Sequence, residues 1–166
     1  RDPDGKVFGE ELERIGWVGD EKVGARKMHA MLELHIEQGP ILEAEGKSIG
    51  VVTHGQGLWW LEITLTGKDA HTGSTPMNMR VNAGLGMARI TERVHQIAMS
   101  HQPNAVGAVG QVKVFPNSRN VIPGKVVFTV DIRSPEQAKL DAMKAEVMRA
   151  AHAVAKELGL GCEIEA

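Results

Sequence analysis

Alternating apolar and polar residues between positions 58 and 133 predict three strands. The first covers Leu58–Thr66. Its apolar face carries Leu61, Ile63 and Leu65. Val106–Phe115 and Val121–Arg133 are rich in valine, which favours strands. In the third strand the apolar residues are Val126, Phe128, Val130 and Ile132. This two-residue period indicates strands that bury one face and leave the other open.

Apolar residues at helical spacing predict two helices beside these strands. The first runs from about Val81 to Met99. The second is predicted to start at Ser134, which can cap it, with Pro135 in the first helical position. Gly159 is expected to end this helix, and Cys162–Ala166 then predicts a last strand.

The order of elements from residue 57 to 166 is therefore β-α-β-β-α-β, which is the ferredoxin-like pattern. It predicts an α+β domain with an antiparallel sheet and two helices on one face. The other face of the sheet would be bare, and this indicates a surface for a partner.

Residues 1–56 are predicted to form a separate and smaller segment. The boundary is placed at His54-Gly55-Gln56-Gly57, where two glycines lie between apolar runs. The predicted elements are a helix near Val7–Ile15, strands at Met31–Glu37 and Ile49–Thr53, and a helix that opens at Pro40. This segment has too few apolar residues for a core of its own.

Charge and cysteine content narrow the classes of function. The 166 residues carry 19 Lys and Arg against 21 Asp and Glu, a net charge of −2. That balance favours neither nucleic acid nor an anionic membrane as a partner. A single cysteine excludes an internal disulfide and a cysteine-based zinc site, and it fits a cytoplasmic location. No apolar run reaches the length of about 18 residues that a membrane-spanning helix needs.

His35 is the most informative histidine of the first segment. It alternates with Glu33 and Glu37 just before the Gly39-Pro40 break. Imidazole and carboxylate groups both bind Zn²⁺, so this run is a candidate metal site. The alternative is a solvated polar face of a strand, because one His-x-Glu pair is a weak motif.

His71 lies in a loop of small and hydroxyl residues, Gly67–Pro76, between the first strand and the first helix. A histidine in such a loop can donate a proton or stabilise an oxyanion. The alternative is a loop histidine whose side chain caps backbone groups.

Asn120 and Arg133 stand at the two ends of the third predicted strand. The guanidinium fork of Arg133 matches the two oxygens of a carboxylate. The alternative for Arg133 is a salt bridge to Asp131, and the alternative for Asn120 is a role in the turn that precedes the strand.

Four motifs occur in an order that resembles a known family. They are Glu33-Leu34-His35-Ile36-Glu37-Gln38-Gly39-Pro40, Gly50-Val51-Val52, the run from Gly67 to Met77, and Asn120-Val121-Ile122-Pro123-Gly124 followed by Asp131-Ile132-Arg133. In them the chain resembles the N-carbamoyl-L-amino acid hydrolases, β-ureidopropionases and allantoate amidohydrolases. This is the ureidase branch of the metal-dependent aminoacylase and carboxypeptidase superfamily.

The resemblance implies a role for several residues. His35 matches a ligand of one of two metal ions, usually Zn²⁺ or Mn²⁺, and Gln38 matches a contact to the ureido group. His71 matches a histidine that a neighbouring subunit lends to stabilise the oxyanion. Asn120 and Arg133 match the residues that hold the substrate carboxylate. Residues 57–166 match the lid and dimerisation domain, and residues 1–56 match a strip of the α/β catalytic domain.

The family's other metal ligands and its general-base glutamate do not match residues of this chain. We therefore expect this chain to be a fragment of a longer amidohydrolase that acts on N-carbamoyl-L-amino acids or related ureido acids. The isolated fragment is expected to be inactive. The same features leave two alternatives open. One is a non-catalytic dimerisation or binding module, and the other is a peptidase or aminoacylase of the same superfamily.

Overall fold

The computed structural model describes residues 1–166, which form two units, Arg1–Gly50 and Val51–Ala166. The first unit contains helices α1 (Phe8–Arg14) and α2 (Ile41–Ala44). The second contains strands β1 (Gly57–Thr66), β2 (Ala70–His71), β3 (Val106–Phe115), β4 (Val121–Ile122), β5 (Lys125–Ser134) and β6 (Gly161–Glu165). Its helices are α3 (Ala83–Ser100) and α4 (Gln137–Leu158), with one 3₁₀ turn at Met77–Met79.

The first unit has no buried residue. The helix expected near Val7–Ile15 is confirmed as α1. The strands expected at Met31–Glu37 and Ile49–Thr53 are wrong, because both segments lack regular structure. Leu32 and Leu34 are 97% and 103% exposed, so alternation alone did not produce a strand. A strand needs a neighbour for its backbone hydrogen bonds, and neither segment has one here.

The second unit confirms the ferredoxin-like prediction. Its main sheet has four strands in the order β3-β5-β1-β6, and every neighbouring pair is antiparallel. β1 and β5 pair along their whole length, from Gly57 opposite Ser134 to Thr66 opposite Lys125. The centre of the sheet is therefore the β1–β5 pair, and β3 and β6 are its edges.

The hydrophobic core lies between one face of this sheet and the two long helices. β1 and β5 contribute alternate residues, and their largest buried side chain is Phe128. α3 packs over β3 and β5, whereas α4 covers β1, β5 and β6. Gly86 lets α3 approach the sheet, because a Cβ there would lie 2.5 Å from Leu160 and 3.0 Å from Leu65. No helix is both long enough and apolar enough to span a membrane.

Two boundaries differ from the sequence prediction. The strand expected over Val121–Arg133 is interrupted at Pro123-Gly124. The short piece before the break, β4, pairs with β2 and not with the main sheet. Proline has no amide hydrogen to donate to a sheet, so the chain can leave the main sheet at this point.

The start of α4 also differs, whereas its end agrees with the prediction. Pro135 is not the first helical residue, because α4 begins at Gln137. Ser134 is the last residue of β5, and its hydroxyl accepts a hydrogen bond from the amide of Glu136 at 3.1 Å. The helix ends at Gly159, whose φ of 68° is the left-handed conformation that glycine favours.

Candidate functional site

The His71 loop is held against the segment that carries Asn120. The small sheet of β2 and β4 places His71 opposite Val121. The amide of Thr72 donates to the carbonyl of Asn120 at 2.8 Å. At the base of the loop, Asp69 accepts from the amide of Gly124 at 2.7 Å. The structure thus brings together two predicted site residues that lie far apart in sequence.

The imidazole of His71 is exposed, but one side of the ring is engaged. Its Nδ1 accepts hydrogen bonds from the backbone amides of Gly73 at 3.1 Å and Ser74 at 3.2 Å. Nε2 makes no hydrogen bond. The capping role considered for this histidine is therefore present, and it occupies only one of the two ring nitrogens.

Asn120 is exposed in the turn before β4. Its side-chain oxygen accepts a hydrogen bond from the Ser118 hydroxyl at 3.0 Å. This is the turn role considered for Asn120. The amide nitrogen of the side chain makes no hydrogen bond and can donate to a ligand.

Arg133 is half-buried near the end of β5 and is paired with Asp131 on the same strand face. Its Nε lies 3.0 Å from one carboxylate oxygen, and its Nη2 lies 2.6 Å from the other. These hydrogen bonds hold the pKa of Asp131 below its ordinary value, against the opposing effect of partial burial. The pair likewise raises the pKa of Arg133. Nη1 makes no hydrogen bond and can bind a carboxylate.

Arg133 and the His71 loop lie at opposite ends of the sheet. Arg133 pairs with Leu58 and Val106, which are at the starts of β1 and β3. The His71 loop follows the end of β1, where the amide of Gly67 donates to the carbonyl of Gly124 just before β5. From Lys125 to Arg133 the strand spans about 27 Å at about 3.4 Å per residue. One copy of the domain therefore does not bring Arg133 to His71 or Asn120.

In the first unit, the predicted residues lie on an exposed loop. His35 Nδ1 is 2.5 Å from Glu33 Oε1, a contact that leaves Nε2 free. Glu37 accepts from the amides of Ile41 and Leu42 at 3.2 Å, and so caps α2. Gln38 adopts a φ of 54° in the sharp bend before that helix.

These residues do not by themselves make a metal centre. The structure contains no group of three or more His, Cys, Asp or Glu side chains that could hold a metal ion. His35 has the hydrogen-bonded arrangement of a metal-binding histidine, with a carboxylate on one ring nitrogen. It can supply one ligand, whereas a catalytic metal needs about three from the protein.

Two shallow concavities lie elsewhere on the second unit. One runs between α3 and α4, and the other lies on the open sheet face beside Trp60 and Asp131. Neither is lined by a predicted site residue. The predicted residues of this unit therefore do not share a ready-made pocket in one copy.

Arg80 is a feature of the loop that the sequence patterns do not reveal. Its guanidinium donates to the carbonyl of Thr72 at 2.7 Å and to that of Thr75 at 2.9 and 3.0 Å. A single arginine before a helix has no distinctive spacing, and contacts to backbone carbonyls leave no pattern in the sequence.

The antiparallel sheet, the two helices on one face and the histidine loop at one end define a ferredoxin-like α+β domain. Residues 53–158 match the family described as peptidase dimerisation domain, and the chain belongs to that family.

Comparisons with individual proteins agree with the resemblance seen in the motifs. The chain is 71% identical over 166 residues to N-carbamoyl-L-amino-acid amidohydrolase from Rhizobium meliloti, covering 100% of this chain and 40% of that protein. It is 36% identical over 136 residues to allantoate amidohydrolase from Escherichia coli strain K12, covering 82% of this chain and 33% of that protein.

A crystal structure of a hydantoinase/carbamoylase-family amidase from Burkholderia multivorans has the same fold. It superimposes with a TM-score of 0.89 at 52% identity, over 99% of this chain and 40% of that one. The chain thus spans well under half the length of these relatives. The resemblance to the ureidase branch is confirmed.

Proposed function

We propose that this chain is part of a metal-dependent amidohydrolase that cleaves the ureido group of N-carbamoyl-L-amino acids or related ureido acids. Water would add across the carbamoyl group, and the products would be the free amino acid, ammonia and carbon dioxide. The support is the 71% identity with a protein of that name along the whole of this chain. Relatives that act on allantoate support the wider substrate class, in which a ureido group and a carboxylate occur together.

The two units would have different tasks in that protein. Residues 57–166 would be its lid and dimerisation domain, and residues 1–56 would belong to its metal-binding catalytic domain. There His35 would supply one metal ligand, and Gln38 would contact the ureido group. Divalent ions such as Zn²⁺ or Mn²⁺ supply a Lewis acid and lower the pKa of bound water. The other ligands would come from the remainder of the protein.

The observation that carries the mechanism is the distance between Arg133 and the His71 loop. A small ureido acid cannot span the roughly 27 Å of strand between them. Arg133 of one copy would therefore hold the substrate carboxylate while His71 and Asn120 of a second copy complete the site. His71 would donate a hydrogen bond to the oxyanion that forms at the carbamoyl carbon.

The edges of the sheet indicate where the second copy binds. β6 is a short edge with two glutamates among its five residues, and such edges resist pairing. β3 is twice as long, at 10 residues, and Lys113 is its single charged residue. Val112 and Phe115 on β3 are 41% and 48% exposed. We infer that two copies pair through β3.

Antiparallel pairing of two β3 edges about a two-fold axis would also bring Arg133 of one copy towards His71 and Asn120 of the other. The start of β3 in one copy, beside Arg133, would lie near the end of β3 in the other. That far end is the end of the sheet that carries Asn120 and His71. A closed two-fold dimer thereby forms two equivalent composite sites.

The proposal is tested by ammonia release from N-carbamoyl-L-amino acids, with the full-length protein and added Zn²⁺ or Mn²⁺. We expect activity in the full-length protein and none in the 166-residue chain. His71→Ala should lower kcat by about 10²–10³-fold, as expected for the loss of an oxyanion donor. The matched control is His95→Ala, which removes an exposed histidine of α3.

Two other functions predict different results. A non-catalytic dimerisation module would form a dimer but release no ammonia from any ureido acid, including allantoate and ureidopropionate. A peptidase or aminoacylase, which the family description leaves open, would cleave peptides or N-acyl amino acids and not ureido acids. Either result would contradict the proposed reaction.

A further inference from the structure

We propose that Arg80 is a positioning residue for His71. With the amides of Gly73 and Ser74, it would select the tautomer of the neutral imidazole that carries its proton on Nε2. The assignment of the proton rests on contacts within this chain. Its consequence for catalysis rests on the function proposed above.

The first step concerns the ring itself. Nδ1 of His71 faces two backbone N–H groups, at 3.1 and 3.2 Å. A backbone amide can only donate, so Nδ1 must accept and cannot carry a proton in this arrangement. The proton of the neutral ring is then on Nε2, which makes no hydrogen bond and is free to donate.

The second step concerns the loop that supplies those amides. The carbonyls of Thr72 and Thr75 flank Gly73 and Ser74, and both accept hydrogen bonds from the half-buried Arg80. The amide of Thr75 also donates to the carbonyl of His71 at 3.2 Å. Arg80 therefore links the two ends of the turn, and the two amides between them donate to the ring. Nη2 contacts both carbonyls and Nε adds a second hydrogen bond to that of Thr75, so two donors are fixed in one rigid plane, which the single flexible ammonium of lysine does not reproduce.

The third step is the chemical consequence. A ring whose Nδ1 accepts two amides has no free acceptor on that side, and its exposed nitrogen carries a proton. Such a side chain can stabilise a developing negative charge but is not suited to remove a proton. His71 would thus act as a hydrogen-bond donor rather than as a general base.

The direct test is nitrogen NMR of the ¹⁵N-labelled 166-residue chain at about pH 8, where exposed imidazoles are neutral. The His71 signals are assigned from their loss in His71→Gln. The result expected is a proton on Nε2 and an unprotonated Nδ1, with no population of the other tautomer. A protonated Nδ1 in the unaltered chain would overturn the proposal, whatever reaction the parent protein performs.

Variants of Arg80 test its part in the arrangement. In Arg80→Ala and in Arg80→Lys the His71 signals should move towards the averaged pattern of exposed His95, because alanine has no donor and lysine lacks the rigid plane that fixes both Nε and Nη2 against the carbonyls. Arg93→Ala is the matched control, since Arg93 is an exposed arginine that bonds only to Gln96, at 3.0 Å. Melting temperatures show whether each variant folds. Unchanged His71 signals in both folded Arg80 variants would overturn the role of Arg80.

Kinetics of the full-length protein separate positioning from folding. Displacement of a catalytic group by about 1 Å can lower the rate by roughly 10²-fold. We therefore expect Arg80→Lys to lower kcat by up to that factor, with little change in KM and an unchanged melting temperature. A fall in rate that is matched by loss of folded protein would instead show a purely structural role. Absence of activity in the unaltered enzyme would contradict the proposed function and leave the NMR result standing.

Discussion

At the scale of single residues, Arg133 is already held by Asp131 before any substrate binds. Two of its nitrogens contact the carboxylate, and Nη1 remains free. The ion pair fixes the direction of the guanidinium and leaves one donor for a ligand. A carboxylate that binds there would meet a preorganised arginine, which lowers the entropic cost of binding.

Replacement of Arg133 should therefore affect binding more than chemistry. We expect Arg133→Ala in the full-length enzyme to raise KM for ureido acids by roughly 10- to 100-fold, the effect of losing about 1.5–3 kcal/mol of charged hydrogen bonding. Steady-state kinetics with Arg149→Ala, an exposed arginine of α4, as the control would check this. An Arg133→Ala enzyme with unaltered KM and kcat would remove the assignment.

The same ion pair should make stability depend on acid. The pKa of Asp131 is lowered in the folded chain, so the folded state releases this proton more readily than the unfolded state. The stabilisation is present above the ordinary value of 3.8 and is lost as the pH falls through the lowered pKa. Because both side chains are partly exposed, the effect should stay below about 1 kcal/mol.

Thermal unfolding between about pH 5 and pH 2 would measure this effect. Asp131→Asn should lose less stability than the unaltered chain over that range, since it has no carboxylate to protonate. Asp141→Asn, on the exposed surface of α4, is the control. Parallel curves for the unaltered chain and Asp131→Asn would show that the pair does not contribute.

Sequence patterns anticipate part of this residue-level detail. Asp131 and Arg133 are two positions apart on one strand, so they share a face, and their pairing could be foreseen as an alternative. The contacts of His71 could not be foreseen, because they are made by backbone amides whose direction depends on the shape of the turn. The separation of Arg133 from His71 became visible only when the pairing of β1 with β5 was known.

At the scale of elements, the His71 loop depends on close backbone approach at its start. A Cβ on Gly67 would lie 2.2 Å from the carbonyl oxygen of Val81, and a backbone atom cannot easily yield. The loop therefore leaves β1 through a position that admits only glycine without a shift. The two strands of the small sheet, β2 and β4, then set the position of His71 relative to Asn120.

Gly67→Ala should accordingly destabilise the domain by about 1–3 kcal/mol, as other changes that overfill a packed site do. The control is Gly161→Ala, where the nearest atom to the added Cβ is 3.4 Å away, an ordinary contact. Chemical denaturation of the three proteins would compare their free energies of unfolding. Equal values for Gly67→Ala and Gly161→Ala would show that the loop moves without cost.

The strands that were predicted correctly each have a neighbouring strand in this chain to pair with. β1, β3 and β5 alternate between apolar and polar residues, and they pair with one another. Met31–Glu37 alternates in the same way but has no neighbouring strand, so its apolar residues stay exposed. Alternation predicts which face a strand would bury, whereas pairing depends on which other strands are present. The break at Pro123-Gly124 was not predicted, although a Pro-Gly pair is typical of turns.

At the scale of the whole molecule, the account depends on association of two copies through β3. Val112→Lys places a charge on that edge and should shift the full-length protein from dimer towards monomer. Glu163→Gln is the control, since it changes the net charge by the same amount on the opposite edge strand, β6. Sedimentation would measure the mass of each. A Val112→Lys protein that remains as fully dimeric as the unaltered protein and Glu163→Gln would contradict an interface at β3.

The central claim is that one active site takes Arg133 from one copy and His71 from another. Co-expression of full-length His71→Ala and Arg133→Ala subunits tests it most directly. The two subunits carry different tags, and all dimers are purified together without selecting the mixed ones. About half of the dimers would then be mixed, and each would contain one intact site and one doubly impaired site. At substrate concentrations well below KM, the account predicts recovery of about one quarter of the unaltered activity, far above that of either variant alone. Activity no greater than the sum of the two separate variants would contradict it and place both residues in the same copy.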